Sequence, residues 1–241
     1  MITGGSSGIG RACALAFAAA GARVALAARR ETEGQETARM IEQQGGEACF
    51  VQTDVAQADQ VQRLIDTTVQ RWGRLDFAVN NAGIEGAPFV NTADYPLEVW
   101  DQVIAVNLKG VFLAMKYEIP HMLKQPGASL VNISSVAGLI GGVGGAAYHA
   151  SKHGVVGLSR TAAIEYASSG LRINAVCPAV IETAMADRFF KGKEHIIPAA
   201  HPLGRAGTPQ EVADAVLWLC SDKASFVTGL ALPIDGGLTA K

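Results

Sequence analysis

The sequence has few charged residues and almost no net charge. Lys, Arg, Asp and Glu together make up 17% of the 241 residues, and the formal net charge is −2. Proteins that bind nucleic acid or an anionic membrane surface usually carry a basic stripe or a strongly positive charge. The composition therefore argues against both partners. Hydrophobic residues make up 49% of the chain, which favours a folded protein with a heavily buried core.

Cysteine is also scarce, and its spacing argues against a metal-binding motif. The four residues are Cys13, Cys49, Cys177 and Cys220, which are far apart in the sequence. Zinc-binding and redox motifs need cysteines a few residues apart. We therefore predict reduced thiols that fill apolar space, as is usual in a cytoplasmic protein.

The sequence shows no signal peptide and no continuous membrane-spanning run. The N-terminus leads at once into a glycine-rich motif, and the apolar stretch 12–28 is interrupted by Gly21 and Arg23. A spanning helix needs about 20 predominantly apolar residues in succession. This stretch instead divides into a helix, a turn and a strand, so we expect a cytoplasmic protein that does not enter a membrane.

Strand-like and helix-like patterns alternate along the whole chain. The predicted strands are 1–3, 23–28, 48–52, 75–80, 129–134, 172–176 and 230–234. The predicted helices are 11–20, 32–44, 58–72, 97–122, 148–168 and 209–221, and the aperiodic stretch 179–202 is interpreted as a lid. Such alternation predicts an α/β fold, with a doubly wound parallel sheet of about seven strands and helices on both faces. No repeat or linker interrupts it, so residues 1–241 are predicted to form one domain.

The first strand is unusually short for a strand that should be central in the sheet. Only Met1, Ile2 and Thr3 precede the glycine-rich motif. Either the start of the chain is truncated, or neighbouring strands cover the gap. Lower stability is the expected consequence, whereas no active-site residue is expected to be missing.

A glycine-rich turn follows this strand. Gly4, Gly8 and Gly10 lie between a predicted strand and a predicted helix. Glycines let the backbone approach a pyrophosphate, and a helix N-terminus offers free N–H groups and a positive dipole end. The spacing is Gly-x-x-x-Gly-x-Gly rather than the commoner Gly-x-Gly-x-x-Gly, so a plain flexible turn is the alternative. Its position at the start of an alternating α/β chain favours a dinucleotide site.

The stretch 134–152 carries three side chains that together could perform proton transfer. Tyr148 and Lys152 are four residues apart and share one face of a predicted helix. An ammonium beside a phenol stabilises phenolate, so Lys152 is predicted to lower the pKa of Tyr148 and make it a general acid or base. Ser135 follows a predicted buried strand, and a glycine-rich connection joins it to the helix. The Tyr–Lys pair alone arises by chance in many helices.

Five motifs occur together in one order. They are 3–10 (TGGSSGIG), 80–83 (NNAG), Asn107, Ser135 and 148–152 (YHASK). This order resembles that of the short-chain dehydrogenases/reductases, over essentially the whole chain to Asp235-Gly236-Gly237. The resemblance implies a Rossmann-type NAD(P)-binding domain. It also implies an oxidoreductase that interconverts a secondary alcohol and a ketone or aldehyde by hydride transfer, similar to 3-oxoacyl reductase and glucose dehydrogenase members.

The resemblance implies four catalytic residues, namely Asn107, Ser135, Tyr148 and Lys152. Tyr148 would be the general acid or base, and Ser135 would hydrogen-bond the carbonyl oxygen. Asn107 would hold a water against Lys152, the alternative being a solvent-facing asparagine. Ser135 is preferred to Ser134 because successive strand side chains alternate between faces, and because it stands thirteen positions before Tyr148, as in relatives.

The resemblance also implies a set of cofactor contacts. Asp54 would bind the adenine amino group, with Val55 on the ring. The residue after Pro178 is Ala179 where Gly is usual, and Ile181 and Thr183 would meet the nicotinamide carboxamide. The implied cofactor-binding set is Gly4, Ser6, Ser7, Gly8, Ile9, Gly10, Arg29, Arg30, Asp54, Val55, Asn81, Ala82, Gly83, Tyr148, Lys152, Pro178, Ile181 and Thr183.

The end of the second strand indicates which nicotinamide cofactor is used. An acidic residue there accepts from the ribose 2′-OH and repels a 2′-phosphate. This chain has Ala28 where NAD-preferring relatives carry Asp, followed by Arg29 and Arg30. Because a guanidinium can bind a phosphate through two hydrogen bonds, NADP(H) is favoured over NAD(H). The alternative is that Arg29 and Arg30 are solvated surface charges. Ser7 counts against NADP(H), since many NADP-dependent relatives have Lys or Arg there.

The predicted substrate cleft is largely apolar, which favours a neutral carbonyl or alcohol. Candidates include 3-oxoacyl thioesters, cyclic ketones, sugars and xenobiotic carbonyls. His149 and His153 are four residues apart but have no third partner, so no metal is predicted. The predicted substrate contacts are Ser135, Ala137, Gly142, Val143, Tyr148 and Val180, with Gly141 and parts of 184–201 around them.

The long predicted helices 97–122 and 148–168 carry more apolar surface than one sheet face can cover. Relatives bury such helices between subunits, so we expect a homotetramer or a homodimer. Two other function classes are alternatives to an oxidoreductase. One is a protein that binds NADP(H) without turnover, and the other is a related epimerase or dehydratase, which would need a larger C-terminal domain.

Overall fold

A computed structural model of the protein describes residues 1–240. Seven parallel strands form one sheet in the order β3-β2-β1-β4-β5-β6-β7. The strands are β1 (Ile2–Thr3), β2 (Val24–Ala28), β3 (Ala48–Gln52), β4 (Phe77–Asn80), β5 (Ser129–Ile133), β6 (Arg172–Pro178) and β7 (Ala231–Ile234). The predicted α/β fold with a doubly wound, Rossmann-type parallel sheet of about seven strands is confirmed.

Nine α-helices accompany the sheet in the described part of the chain. They are α1 (Gly8–Ala19), α2 (Glu31–Gln43), α3 (Ala58–Trp72), α4 (Leu97–Ile104), α5 (Gly110–Met122), α6 (Ala146–Tyr166), α7 (Ala184–Phe189), α8 (Ile196–Ala200) and α9 (Pro209–Cys220). Between residues 1 and 240, no helix is both long enough and apolar enough to cross a membrane.

The sheet is covered on both faces by separate apolar clusters. On one face α1, α2 and α9 pack against the sheet, and on the other α3, α5 and α6 do so. Every residue of β2 and β5 is buried, as is typical of strands between two helical layers. Representative buried side chains are Phe17, Ile41, Val212 and Leu219 on the first face and Val61, Leu64, Val111 and Val155 on the second.

The short first strand is central, as the sequence predicted. Ile2 is in register with Leu26 of β2 and with Val79 of β4, so both edges of β1 are paired. The chain order reverses at this point, because β1 leads outward to β2 and β3 while β4 to β7 extend the other way. Such a switch point opens a crevice at the carboxyl ends of the strands, where ligands of doubly wound folds bind.

The long predicted helix 97–122 is not one regular α-helix. A π-helical turn, Ala105–Lys109, separates α4 from α5. Glycine at position 110 lets the next turn approach the neighbouring loop, because a Cβ there would lie 2.9 Å from Val55 Cγ2. Such turns often mark functional sites, and this one contains Asn107.

A buried polar cluster lies between β4, β5, α5 and α6. The Asn80 side-chain amide donates to Glu118 Oε2 (3.0 Å) and to Asn132 Oδ1 (3.1 Å), and Asn132 donates to Ser159 Oγ (2.8 Å). Within the described residues, Glu118 Oε1 and Asn80 Oδ1 have no hydrogen-bond partner. Burial raises the pKa of the Glu118 carboxyl to about 7, while the Asn80 hydrogen bond opposes that shift.

Glu118 should therefore make the stability of the fold depend on pH. The unfolded carboxyl loses its proton near its ordinary pKa of 4.5, whereas the folded one keeps it to about 7. Between these values the folded state binds more protons, so stability falls as pH rises, by about 3 kcal/mol in total. Glu118→Gln should remove this pH-dependent loss of stability. The difference in free energy of unfolding between Glu118→Gln and wild type should therefore grow, in favour of the variant, from pH 4.5 to pH 8.

Denaturant unfolding of both proteins across this pH range measures the effect. Glu165→Gln is a suitable control, since Glu165 is an exposed glutamate on the neighbouring helix α6. A difference between Glu118→Gln and wild type that does not vary with pH would show that Glu118 is not the group responsible.

Candidate active site

The glycine-rich turn after β1 has a backbone that only glycine adopts readily. Gly4 and Gly8 have φ values of +66° and +53°, in the left-handed region. A Cβ on Gly10 would collide with the carbonyl oxygen of Gly4. The glycines therefore allow the turn to fold tightly against the first turn of α1.

Thr3 and Asn81 fasten this turn to the end of β4. Thr3 Oγ1 accepts from the backbone N–H groups of Asn81 (3.0 Å) and Ala82 (3.1 Å). The Asn81 side-chain amide donates to the carbonyl oxygens of Thr3 (3.1 Å) and Gly4 (3.3 Å). Asn81 thus shapes the turn, and its contact with an adenosine, together with that of Ala82, stays a prediction.

The N-terminus of α1 points its free backbone N–H groups into the crevice. The first turn of a helix leaves these donors without intrahelical partners, and the N-cap Ser7 makes no side-chain capping bond to them. The lid begins beside them, because a Cβ on Gly8 would lie 3.1 Å from Thr183 Cγ2. Free donors, a glycine cradle and a positive dipole end fit the pyrophosphate of a dinucleotide.

Arg30, rather than Arg29, brings its guanidinium to the glycine-rich turn. Arg30 Nη2 donates to Ser7 Oγ (2.8 Å) and to Ser6 Oγ (3.3 Å), and Nη1 pairs with Glu33 (3.1 Å). Arg29 is exposed, and its carbonyl oxygen accepts from Gln52. The sequence placed most weight on Arg29, whereas in the structure Arg30 is the arginine that contacts the glycine-rich turn.

Asp54 and Val55 lie just after β3, at the same edge of the sheet. Asp54 Oδ1 accepts from the Ala56 N–H (3.0 Å), so one carboxylate oxygen already closes the local turn. Val55 is buried and contacts the start of α5 at Gly110. Their implied contacts with an adenine ring stay predictions.

Ser135, Tyr148 and Lys152 converge where β5 ends and α6 begins. Ser135 Oγ accepts from the Ala137 N–H (3.1 Å) and donates to the Pro178 carbonyl (3.3 Å), and it lies close enough to Tyr148 to lower the pKa of that hydroxyl. Ser134 instead donates to the Lys152 carbonyl (2.8 Å). Ser135 is therefore the serine that faces Tyr148, as the alternation of strand side chains predicted.

The predicted effect of Lys152 on Tyr148 is wrong for this structure. Burial of the hydroxyl raises the pKa of Tyr148, the Ser135 hydrogen bond partly opposes this, and the charge of Glu85 adds to it. The Lys152 ammonium donates to the Ile133 carbonyl (2.9 Å) and lies 5.6 Å from the centroid of the Tyr148 ring. Burial also lowers the pKa of Lys152 to about 8.

Asn107 is fully buried in the π-helical turn, so the solvent-facing alternative is wrong. Its Oδ1 accepts from the Ile84 N–H (2.8 Å), and its Nδ2 donates to the Ile84 carbonyl (2.9 Å). A Cβ on Gly83 would lie 3.4 Å from Asn107 Oδ1 and 3.7 Å from Lys152 Nζ. Gly83 thus leaves open the space between these side chains, and the implied water relay stays a prediction.

The segment after β6 closes the crevice from the other side. Thr183 Oγ1 caps α7 by accepting from the Ala186 N–H (3.3 Å), and Ile181 is buried in the core below. The Val180 N–H donates to His201 Nε2 (3.4 Å), so the buried His201 joins the end of the lid to this segment. Residues 179–202 are not wholly irregular, because they contain α7 and α8.

The glycine-rich connection before α6 lines the mouth of the crevice. Ala137 is buried beside Ser135, and Val143 is exposed, its carbonyl accepting from the Phe89 N–H (2.9 Å). Gly142 lies against His149, whose Nδ1 contacts the Gly145 carbonyl (3.1 Å). Substrate contacts at Ala137, Gly142, Val143 and Val180 stay predictions.

Sequence and structure comparisons show what this chain is similar to. A family model described as enoyl-(acyl carrier protein) reductase matches residues 4–239. A 3-oxoacyl-(acyl-carrier-protein) reductase of Thermotoga maritima is 41% identical over 239 residues, which cover 99% of this chain and 96% of that protein. The chain belongs to the short-chain dehydrogenase/reductase family. 

Other members of the family have similar lengths and folds. The cyclohexanol dehydrogenase of an Acinetobacter species is 41% identical over 242 residues, covering 100% of this chain and 94% of that protein. The crystal structure of levodione reductase superposes with a TM-score of 0.95 at 37% identity, covering 99% of this chain and 96% of that one. This short-chain dehydrogenase/reductase is therefore an oxidoreductase of the class that interconverts alcohols and ketones, acting on a small molecule with the nicotinamide cofactors of its family.

The structure of this short-chain dehydrogenase/reductase also shows residues that the sequence analysis missed. Glu85 follows the NNAG motif and pairs with Arg188 of α7, which is 103 positions away in the sequence. Phe89, Phe189 and Phe190 form an aromatic cluster beside that pair. Glu85 could have been noticed because it lies next to the NNAG motif. Nothing in the sequence indicates that it pairs with Arg188.

Proposed function

We propose that the protein uses NADP(H) to interconvert a secondary alcohol and a neutral ketone or aldehyde, with Tyr148 as the general acid or base. The observation that carries this proposal is the convergence of Ser135 and Tyr148 at the carboxyl end of β5, with Lys152 and Asn107 behind them. The glycine-rich turn lies across the same crevice.

The residues present fit a dinucleotide. The α1 N-terminus with Gly4, Gly8, Ile9 and Gly10 would hold the pyrophosphate, and Arg30 with Ser6 and Ser7 would hold a ribose 2′-phosphate. Asp54, Val55, Asn81, Ala82 and Gly83 would surround the adenosine half. Pro178, Ile181 and Thr183, after β6, would surround the nicotinamide half. Arg29 would add positive charge near the ribose, since no acid occupies the end of β2.

The bound nicotinamide would supply or accept a hydride, and the protein's own side chains would donate or remove the proton. In carbonyl reduction the Tyr148 hydroxyl donates its proton to the oxygen that gains charge. Ser135 Oγ hydrogen-bonds the same oxygen and so stabilises the developing negative charge. In alcohol oxidation the Tyr148 phenolate removes the hydroxyl proton, and Ser135 holds the substrate oxygen in place.

Lys152 would support Tyr148 as a partly charged neighbour. Its pKa of about 8 leaves both protonation states accessible close to neutral pH. In this structure the ammonium donates to the Ile133 carbonyl (2.9 Å), and with the cofactor bound it would bind the nicotinamide ribose hydroxyls. Asn107 fixes the loop that carries Ile84 and would hold the water that connects Lys152 to solvent.

An apolar carbonyl compound suits the mouth of this crevice. Ile140 and Val143 are exposed there, and Phe89, Phe189 and Phe190 cluster on the lid side. Related proteins named cyclohexanol dehydrogenase, (+)-borneol dehydrogenase 2 and levodione reductase support a cyclic ketone or its alcohol over a charged substrate. A 3-oxoacyl thioester remains the second substrate class, because reductases of that class are equally similar.

A panel of cyclic ketones, linear 3-oxoacyl thioesters, sugars and the matching alcohols, assayed separately with NADPH and NADH, tests this function. We expect turnover of at least one cyclic ketone or alcohol, faster with the phosphorylated cofactor. Binding of NADPH seen as a thermal shift, with no turnover of any compound in the panel, would instead support a cofactor-binding protein without activity.

We also propose that residues 1–241 act as one domain and that four copies assemble. Strands from Ile2 to Ile234 join one sheet, which supports the single domain. Large apolar side chains lie exposed on α4, α5 and α6 and again near α9, which supports two subunit interfaces. These side chains are Leu97, Phe112, Ile164, Trp218 and Phe226. A cytoplasmic location agrees with the four cysteines, which are all free.

A further inference from the structure

The two ends of segment 179–183, which follows β6, are held by other backbone groups. The Ala179 N–H donates to the Ile234 carbonyl at the end of β7 (3.0 Å). The Glu182 N–H donates to the Gly207 carbonyl (2.9 Å), so the stretch before α9 pairs with this segment. Neither of these bonds depends on the identity of a side chain.

The centre of the segment, in contrast, is bonded to the side chain of His201. The Val180 N–H donates to His201 Nε2 (3.4 Å), while the Val180 carbonyl accepts from the Gly207 N–H (2.9 Å). Ile181, the next residue, is buried, and within residues 1–240 its N–H donates to no acceptor. Buried backbone N–H groups are nearly always paired, so this one is a candidate donor to a ligand.

His201 is fixed in one orientation and one tautomer. The residue is only 3% exposed, and its Nδ1 lies 2.7 Å from the Ile197 carbonyl oxygen of α8. A carbonyl oxygen only accepts and a backbone N–H only donates, so Nδ1 carries the proton and Nε2 is the acceptor for Val180. The ring thus joins α8 of the lid to the segment after β6.

The C-terminal motif 235–237 (DGG), which the proposed function leaves without a role, packs against this histidine. A Cβ on Gly236 would lie 3.6 Å from His201 Cβ and 3.7 Å from its Cδ2. The Gly236 carbonyl accepts from the Leu203 N–H (3.1 Å), two residues beyond the histidine. The motif therefore supports the side of His201 that faces away from its hydrogen-bond partners.

We propose that His201 is a positioning residue for the nicotinamide half of the cofactor. The Val180 carbonyl and the Ile181 N–H belong to one planar peptide unit, so a fixed Val180 sets the direction of that N–H. By accepting from Val180, the imidazole keeps the Ile181 N–H where it donates to the carboxamide. This inference rests on the proposed contact between Ile181 and the nicotinamide.

Asparagine and glutamine at position 201 separate the two hydrogen bonds of the ring. The amide N–H of asparagine takes the place of Nδ1 and can bond to Ile197, but asparagine is too short to reach Val180. The longer glutamine brings its carbonyl oxygen to the place of Nε2, where it accepts from Val180. His201→Asn should therefore weaken NADPH binding by about three- to tenfold, and His201→Gln should stay within about twofold of wild type.

Two ligands distinguish positioning of the nicotinamide from a general structural effect. Each protein would be titrated calorimetrically with NADPH and with 2′-phospho-ADP-ribose, which lacks only the nicotinamide. NADH and ADP-ribose replace them if wild type binds that pair more tightly. His201→Asn should bind the fragment as tightly as wild type does, because the fragment has no carboxamide to meet Ile181.

His153→Asn is the matched control for these titrations. Its Nδ1 also contacts the carbonyl four residues earlier (3.0 Å), but the side chain is exposed on α6 and contacts neither the lid nor the segment after β6. Both ligands should bind this variant as they bind wild type.

Hydrogen exchange tests the bond in the wild-type protein even if a variant folds poorly. Without ligand, the Val180 amide should be protected from exchange in wild type and should exchange faster in His201→Asn. A Val180 amide that exchanges in wild type as fast as in an unstructured peptide would overturn the inference.

The titrations separate this inference from the proposed function. A loss of NADPH affinity in His201→Asn that spares the fragment and is largely restored in His201→Gln supports the inference. Equal losses of both ligands, equal losses in both variants, or no loss in either would overturn it and leave His201 as a packing residue. Wild-type protein that binds neither NADPH nor NADH would overturn the proposed function itself.

Discussion

Tyr148→Phe should lower kcat by about 10²- to 10⁴-fold in both reaction directions, which is the contribution usual for a positioned general acid or base. The substitution removes only the hydroxyl oxygen. Ser135 can still hydrogen-bond the substrate oxygen, but no group within reach then supplies or removes the proton. Steady-state kinetics with the best substrate of the panel measures the loss.

Cofactor affinity separates a chemical defect from a structural one. The affinity of Tyr148→Phe for NADPH, measured from the fluorescence of the cofactor, should stay within about threefold of wild type. The substitution leaves the pyrophosphate and adenosine contacts unaffected. Tyr166→Phe is the matched control, since Tyr166 ends the same helix α6 and packs against the core. Activity of Tyr148→Phe within tenfold of wild type would contradict its assignment as the proton donor.

Arg30→Gln should weaken NADPH binding by about 10- to 100-fold and leave NADH binding nearly unchanged. The arginine lies against Ser6 and Ser7 at the mouth of the glycine-rich turn. A charge-assisted hydrogen bond contributes about 1.5–3 kcal/mol, and each 1.4 kcal/mol corresponds to a factor of ten in affinity. NADH lacks the 2′-phosphate, so it loses none of this interaction.

A second substitution tests the neighbouring arginine by repulsion. Arg29→Asp places an acid beside the predicted ribose position and should weaken NADPH binding far more than NADH binding. Arg39→Gln, at an exposed position of α2, is the matched control and should affect neither cofactor. Equal losses of both cofactors in Arg30→Gln and Arg29→Asp would refute the preference for NADP(H).

Much of the fold was predictable because each element carries its own local pattern. The alternation of apolar strands and amphipathic helices predicted the seven strands, and glycine positions predicted the turn after β1. The predicted strand bounds differ from those observed by at most two residues, as for β6, which continues to Pro178. Ser135 could be distinguished from Ser134 because strand side chains alternate between faces.

What the sequence could not predict depends on packing between distant segments. The raised pKa of Tyr148 arises from burial and from Glu85, whereas spacing on a helix indicated only Lys152. The choice of Arg30 over Arg29 depends on side-chain direction at the end of β2. The π-helical turn contains Asn107, whose side chain bonds to Ile84, a contact between segments that no local pattern reveals.

Hydride transfer coupled to Tyr148 is the central claim, and isotope transfer tests it most directly. The wild-type protein and Tyr148→Phe would be incubated with NADPH deuterated at the transferred C4 position and the best ketone of the panel, and the product alcohol analysed by mass spectrometry. The account predicts one deuterium on the carbinol carbon with wild type and almost no product with Tyr148→Phe. An alcohol without deuterium, or equal labelled product from both proteins, would contradict it.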